Sequence, residues 1–496
     1  MYRTARYLTP YVRTSSIRRS NSGSTDTNNS TPNITNMPHP RELPVFGTKL
    51  SLLASGNGSK LHEYIDKRHK QLGPIFYEKL EGNTKLVFIS DPYLIKTLFL
   101  NLEGKYPAHI LPEPWILYEH VYGSKRGLFF MNGEDWLANR RILNAHVLRD
   151  DSDKWLEGPI TATINKFIQN WKIKSKSGHF VPDIESELYR LSIDVIINVL
   201  QGTECITPGI FYEELLTMFS ESVKKIFHTT TQLYGLPVSW YYKLNLKPWR
   251  EFKECVDSSI LLGNKIVSEI LSRSDKSDGL IAKLRKENMS KEVITKIVTD
   301  FVIAAGDTTA YTTLWTFILL SRNNLESEEL LNQGKTYAKY IIKEAMRLYP
   351  VAPFLTRILP KESIVGKYTL GKGTPVIASI YTSGRDENNF SRANDFAPYR
   401  WDRNNPRKKE IINHVPSASL PFAMGARSCI GKKIAMLQIA EVIYQVNKNF
   451  EYSCKNCEGL SPITSQVLIP NKNIKFIFSL RQKYKGQIED LSLNKY

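Results

Sequence analysis

The sequence predicts a mainly α fold with small β-sheets (α+β), built as a single large domain. Apolar residues recur at helical spacing from Gly133 through Leu320, while short β-rich pieces cluster after Pro350 and at 467–469 and 474–479. Neither a repeat nor a second linker divides the 496 residues, and a 42% hydrophobic content is enough to fill one large core.

Residues 1–36 read as a leader. Arg3, Arg6, Arg13, Arg18 and Arg19 all precede the first acid, Asp26, among many serines and threonines. That is the composition of a mitochondrial transit peptide, with a disordered basic tail as the alternative. No apolar run of about 18 residues occurs there, so a membrane-spanning anchor is not expected. Residues 37–48 form a proline-rich lead-in in which Pro38, Pro40 and Pro44 fix φ. The folded domain is assigned to 49–485 and a tail to 486–496.

Within the domain, Lys60–Leu72 has the spacing of an amphipathic helix, and Pro74–Ser90 that of a hairpin turning at Glu81-Gly82-Asn83. Asp91 is placed to cap a helix whose first residue is Pro92, and Gly202 to end another. Ser290 would cap a long helix from about Lys291 to Ser321, which at 1.5 Å per residue spans roughly 45 Å.

The net charge of +18 does not point to nucleic acid, because the basic residues are scattered without a binding module. An acidic protein partner accounts for it as well. Five cysteines, Cys205, Cys255, Cys429, Cys454 and Cys457, are too few and too irregular for a disulfide framework and imply a reducing compartment. Cys454 and Cys457 have C-x-x-C spacing but lack the second pair a zinc site needs, and read as structural or incidental.

Chemistry concentrates in four places. Phe422, Gly425, Arg427, Cys429 and Gly431 place one thiol in a glycine-flexed loop that could run against a flat ligand, with Arg427 beside the sulfur and Phe422 shielding it. Ala304-Ala305-Gly306-Asp307-Thr308-Thr309 puts an acid and an alcohol in mid-helix, where glycine and a back-bonding threonine predict a groove or kink, although satisfied polar side chains in a buried helix would look the same. Glu344 and Arg347 are paired at i and i+3. Trp136 and Arg140 lie one turn apart, so both can reach one side of a ligand.

These motifs resemble those of the cytochromes P-450. The pattern F-x-x-G-x-R-x-C-x-G matches the haem-ligand signature at every fixed position, and the resemblance implies haem b with Cys429 as the axial ligand of the iron. A thiolate there pushes electron density toward the metal and favours O–O cleavage. The resemblance further implies that Asp307 and Thr308 route protons to bound O2, and that Trp136, Arg140, Arg357 and Arg427 hold the haem propionates. Glu344 and Arg347 would join Arg400, from Phe396-Ala397-Pro398-Tyr399-Arg400-Trp401, in a buried structural network. Ala305 stands where many members have glycine.

The match is closest to mitochondrial members, and among them to insect ecdysteroid 2-hydroxylases, through segments 62–71, Gly127–Met131, Arg140–Asn144, Ala304–Ala310 and Leu348–Phe354. It implies a steroid monooxygenase, with C2 hydroxylation of 2-deoxyecdysone to ecdysone as the reaction. The rivals are 22- or 20-hydroxylation, a non-catalytic haem-thiolate sterol binder and a haem-thiolate isomerase. O2 would be the co-substrate, and NADPH would supply electrons through ferredoxin reductase and an acidic, adrenodoxin-like 2Fe-2S ferredoxin docked on Lys339, Lys343, Lys432 and Lys433. A monomer on the matrix side, touching the inner membrane peripherally, is implied. Pocket walls are expected from 115–130 and from Phe301, Ala305, Phe354 and Leu468.

Overall fold

The computed structural model describes residues 32–481 except 44–46, 57, 80–83, 124–126, 177, 203–209, 234–236 and 273–277. Residues 1–31 of the leader, the turn at 81–83 and the 486–496 tail lie outside the described residues.

The chain begins with α1 (Lys49–Ala54), α2 (Leu61–Leu72), β1 (Ile75–Glu78), β2 (Leu86–Ile89) and α3 (Pro92–Thr97). Asp91 caps α3 by accepting the Leu94 N–H at 2.8 Å, with Pro92 at the first position. A long helical series follows: α4 (Glu113–Tyr122), α5 (Gly133–Val147), α6 (Asp153–Lys174), α7 (Ile184–Gln201), α8 (Ile210–Gln232), α9 (Val238–Lys243), α10 (Lys247–Ser272) and α11 (Leu280–Lys286). Gly202, at φ +100°, terminates α7. Then come α12 (Lys291–Leu320), α13 (Asn324–Gln333) and α14 (Lys335–Leu348). The remainder alternates: β3 (Phe354–Ile358), β4 (Ser363–Val365), β5 (Tyr368–Leu370), β6 (Pro375–Ser379), α15 (Ile380–Arg385), α16 (Lys432–Asn449), β7 (Phe450–Cys454), β8 (Pro462–Thr464), β9 (Leu468–Pro470) and β10 (Phe476–Leu480).

One sheet has the order β1-β2-β6-β3, with β2 and β6 parallel and the flanking pairs antiparallel. Three further pairs, β4-β5, β8-β9 and β7-β10, are small and antiparallel. The largest apolar core gathers residues of α5–α8, α12, α14 and α16. Ser290 caps α12 through the Val293 N–H, and the helix runs unbroken to Leu320. It is apolar nearly all round, the pattern of a helix enclosed by others. Its threonines tolerate burial because Thr312, Thr313 and Thr316 each donate a hydroxyl to the carbonyl four residues back. No described helix is long and apolar enough to cross a membrane.

The link between Arg322 and Thr336 carries α13, which docks on α14 and α16. α12 continues as helix through Gly306, whose missing side chain makes room for the Tyr189 ring. Cys454 and Cys457, which read as structural or incidental in sequence, form a disulfide with Cα atoms 5.8 Å apart where β7 ends, in a turn held by Asn456, which bonds the Asn473 carbonyl and the Lys475 N–H.

Candidate active site

The Cys429 loop is shaped by its own backbone and by one distant carboxylate. The Cys429 N–H reaches the Phe422 carbonyl at 2.9 Å, and Ala423 is forced to φ +57°, a conformation that costs a side-chain-bearing residue energy. Gly425 lies at φ +79°, where a Cβ would stand 2.4 Å from the Phe99 carbonyl oxygen and 2.5 Å from Glu103. Gly425 thus adopts a conformation that a Cβ would forbid, and the neighbours it admits are Phe99 and Glu103. Gly431 has ordinary φ, and its nearest neighbour would be the Cys429 sulfur at 4.0 Å. Cys429 is exposed on one side, while protein mass on the other pushes its thiol pKa up. The Gly431 N–H, Arg140 and Lys432 pull in the opposite direction, toward thiolate.

Around this loop the structure brings together Trp136, Arg140, Arg357 and Arg427. Arg427 lies over the Trp136 ring at 4.3 Å and donates to the Phe129 carbonyl, the Met131 carbonyl and the Asn132 side chain. Arg357 donates to Glu103 at 2.6 Å, both groups being buried. The other Glu103 oxygen accepts the Ala426 N–H at 2.8 Å, so one carboxylate ties the cysteine loop to β3. Burial, then repulsion from Arg357 and Arg140, lowers the Arg427 pKa to about 10. Three guanidiniums against the single Glu103 carboxylate leave an excess of positive charge. Three buried donors, Arg140 Nε, Arg357 Nη2 and Arg427 Nε, have no partner. Buried donors in that state call for acceptors, and two carboxylates would match both the charge and the geometry.

On α12, the central stretch is enclosed except where Ala304, Ala305 and Thr308 form an accessible strip. Thr308 donates to the Ala304 carbonyl at 2.6 Å. Asp307 faces elsewhere, into a small cavity shared with Glu185, Tyr189, Lys224 and Tyr311. Burial pushes its pKa up to about 6, and Lys224 moderates the shift. Glu185 is also raised by burial, against hydrogen bonds from the Ile474 N–H and the Tyr311 hydroxyl. Gly306 admits the Tyr189 ring, which would lie 2.6 Å from a Cβ.

Glu344, Arg347 and Arg400 meet in full burial. Glu344 accepts from Arg347 at 2.7 and 3.0 Å, from Arg400 at 2.9 Å, from the Ala397 N–H at 3.0 Å and from Trp401 at 2.8 Å. The remaining guanidinium donors reach the carbonyls of Gly384, Ala393, Asp395, Ser391 and Arg392. These bonds fix the segment 384–401 against α14.

Lys339, Lys343 and Lys432 share one patch, and after burial the charges of Lys432 and Lys339 lower the Lys343 pKa. Lys433 is drawn away, donating to the Arg149 carbonyl at 2.6 Å and pairing with Asp153 at 3.0 Å. Among the expected pocket residues only Ala305 lies on the accessible strip. Phe301 is in the core, and Phe354 packs edge-on to Phe88 in a separate cluster. Leu468 is fully enclosed, its carbonyl taken by Trp315 at 3.0 Å and its N–H by Val351. Sequence reasoning missed Ala304, whose exposure opens the strip, and Glu103, a buried acid with no local motif to mark it.

A family model described as Cytochrome P450 matches residues 37–478. The chain is 35% identical over 462 residues to Cytochrome P450 315a1, mitochondrial, of Drosophila melanogaster, covering 88% of this chain and 87% of that one. It is 26% identical over 483 residues to the mitochondrial 1,25-dihydroxyvitamin D(3) 24-hydroxylase of Rattus norvegicus, covering 92% and 91%. To the mitochondrial cholesterol side-chain cleavage enzyme of Equus caballus it is 27% identical over 448 residues, covering 84% of each. With the loop around Cys429 and these matches together, the chain belongs to the cytochrome P450 family and sits among its mitochondrial members.

Proposed function

We propose that the protein is a haem-thiolate monooxygenase that hydroxylates C2 of 2-deoxyecdysone to give ecdysone. The observation that carries the chemistry is the exposed Cys429 sulfur beside a group of buried, unpartnered guanidinium donors. Haem, which the family implies, fits these residues: Cys429 would hold the iron, and Trp136, Arg140, Arg357 and Arg427 would hold the propionates. Phe422 would shield the sulfur. When bound, haem supplies the activation of O2. The chain supplies orientation and protons. Thr308, on the accessible strip, would hold a proton donor at the oxygen side, and its own hydroxyl is positioned by the Ala304 carbonyl. Asp307, with a pKa raised to about 6, is suited to exchange protons near neutrality within its own cavity, on a face of α12 other than that of Thr308. A rigid sterol would be oriented over Ala304 and Ala305, where small side chains leave room.

Electrons would arrive from NADPH through ferredoxin reductase and an acidic ferredoxin docked on Lys339, Lys343 and Lys432. The substrate reading rests on the resemblance to insect ecdysteroid 2-hydroxylases. A second reading, side-chain hydroxylation at C20 or C22, draws on the names of the vitamin D and cholesterol side-chain enzymes among the relatives. Incubating the protein with 2-deoxyecdysone, NADPH, reductase and ferredoxin separates them. Ecdysone is the expected product, and oxidation confined to the side chain, or none at all, would overturn the C2 assignment.

A further inference from the structure

The turn after β7 carries chemistry that neither the haem motifs nor the family match assigns. Its disulfide joins Cys454 and Cys457 in a chain whose cysteine usage points to a reducing compartment. Disulfides in such compartments are usually catalytic or redox-sensing. Cys454 is half-buried at the end of β7, opposite Phe476 of β10, whereas Cys457 is only 8% exposed and packs into the main core. Hydrogen bonds tie the turn on both sides. The Lys455 N–H meets the Lys475 carbonyl at 2.9 Å, Asn456 holds Asn473 and Lys475, and Arg322, just beyond α12, donates to the Cys457 carbonyl. From Cys457 the chain runs on into β8 and β9, where the Thr464 N–H meets the Ser59 carbonyl and Leu468 bonds both Val351 and Trp315.

We propose that the Cys454–Cys457 disulfide is a redox modification site, opened by a protein dithiol, that controls how firmly residues 455–475 are held. Access selects Cys454 as the sulfur attacked, because Cys457 is covered. A thiolate of the reductant bonds to Cys454 Sγ, the Cys454–Cys457 bond breaks, and its electron pair leaves on the Cys457 sulfur, which then takes a proton from water. Arg322 puts positive charge beside that residue and so favours the departing thiolate. The reductant's second thiol gives up its proton, attacks the reductant sulfur of the mixed disulfide and releases Cys454, which is protonated in turn. Two electrons and two protons thus pass to the pair, and the reductant becomes a disulfide. A monothiol is the poorer fit. Cys457, three residues away, attacks the mixed disulfide at high effective concentration and restores the closed pair. Once reduced, the turn keeps its hydrogen bonds and loses its covalent clasp, so the segment leading through β8 and β9 opens more often.

The test uses the full chain, isolated without reductant and then incubated with excess reduced thioredoxin or with glutathione at equal thiol concentration. Alkylation followed by peptide mass analysis reads the state of each cysteine. Before reductant, Cys454 and Cys457 are expected to carry no label; thioredoxin should expose both, and glutathione neither. Hydrogen exchange read on the same samples should quicken on the order of tenfold across 455–475 after thioredoxin, with α12 unchanged. Cys454→Ser combined with Cys457→Ser, or the corresponding pair of alanines if the serines fold poorly, should show the faster exchange from the start and no response to thioredoxin. Label on both cysteines before any reductant, or a pair that thioredoxin leaves closed, would overturn the site. Equal opening by glutathione would overturn the dithiol assignment. Exchange across 455–475 that is the same in both states would overturn the control of that segment.

Discussion

Gly306 and Asp307 are neighbours in sequence that serve opposite demands. A Cβ on Gly306 would lie 2.6 Å from the Tyr189 ring, closer than packed atoms tolerate. Gly306→Ala should therefore destabilise the fold by about 1–3 kcal/mol despite improved helix propensity, as overpacking in a filled core does. A shift in urea midpoint at constant m-value measures it, and an unchanged midpoint would mean that Tyr189 moves freely. For Asp307 the sign follows from a raised pKa. Below about pH 4 the carboxyl is neutral in both folded and unfolded chains and has no effect. Between about pH 4 and 6 the unfolded chain gives up its proton while the folded one keeps it, so stability falls, reaching a constant deficit of about 3 kcal/mol above pH 6. Asp307→Asn should gain stability over the parent across that window and remain ahead at pH 7. Urea titrations at several pH values test this, and a pH-independent difference would refute it. Thr308→Ala is expected to leave NADPH consumption running while product falls, because the hydroxyl that positions the proton donor is gone. Tight coupling in that variant would remove Thr308 from the proton route.

At the scale of elements, α14 and the segment 384–401 are joined through Glu344 and Arg347, and Glu344 is the one carboxylate in that network. Glu344→Gln would leave Arg347 and Arg400 charged, buried and without a counterion, with an expected loss of about 3–5 kcal/mol. Soluble yield and thermal midpoint measure it, and a variant within 1 kcal/mol of the parent, on the order of an exposed pair, would show that the carbonyl acceptors suffice. The same network shows which parts of the site were legible. Glu344 and Arg347 are one helical turn apart and can be read as a pair, whereas Arg400 lies 56 residues on and enters only through family resemblance. Glu103 joins Arg357 across 254 residues, and Ala108 meets Ile358 through strand register. No periodicity marks such contacts, because tertiary packing creates them. Helix caps at Asp91, Gly202 and Ser290 were legible for the converse reason, that each is decided by three or four adjacent residues. The neighbours of Gly425 and Gly306, namely Phe99 with Glu103 and the Tyr189 ring, were not legible because a glycine announces close approach without saying to what.

Across the whole molecule the charge of +18 becomes specific only where lysines crowd. Lys343 is exposed beside the rings of Tyr340 and Trp401, and desolvation, followed by the charges of Lys432 and Lys339, lowers its pKa. An acidic partner would relieve that repulsion, whereas Lys433 already has Asp153. If ferredoxin docks there, Lys339→Gln, Lys343→Gln and Lys432→Gln should each slow reduction by ferredoxin, by on the order of threefold to tenfold at low salt, because such charges act mainly on the encounter rate. Lys433→Gln should have little effect on that rate. Raising salt from about 0.01 to 0.15 M shortens the screening length from about 30 to 8 Å, so the parent should slow and converge on the three variants. Stopped-flow reduction at the two ionic strengths distinguishes the cases. Equal sensitivity at Lys433 would point to diffuse attraction by net charge, and salt-independent rates would remove electrostatic docking altogether.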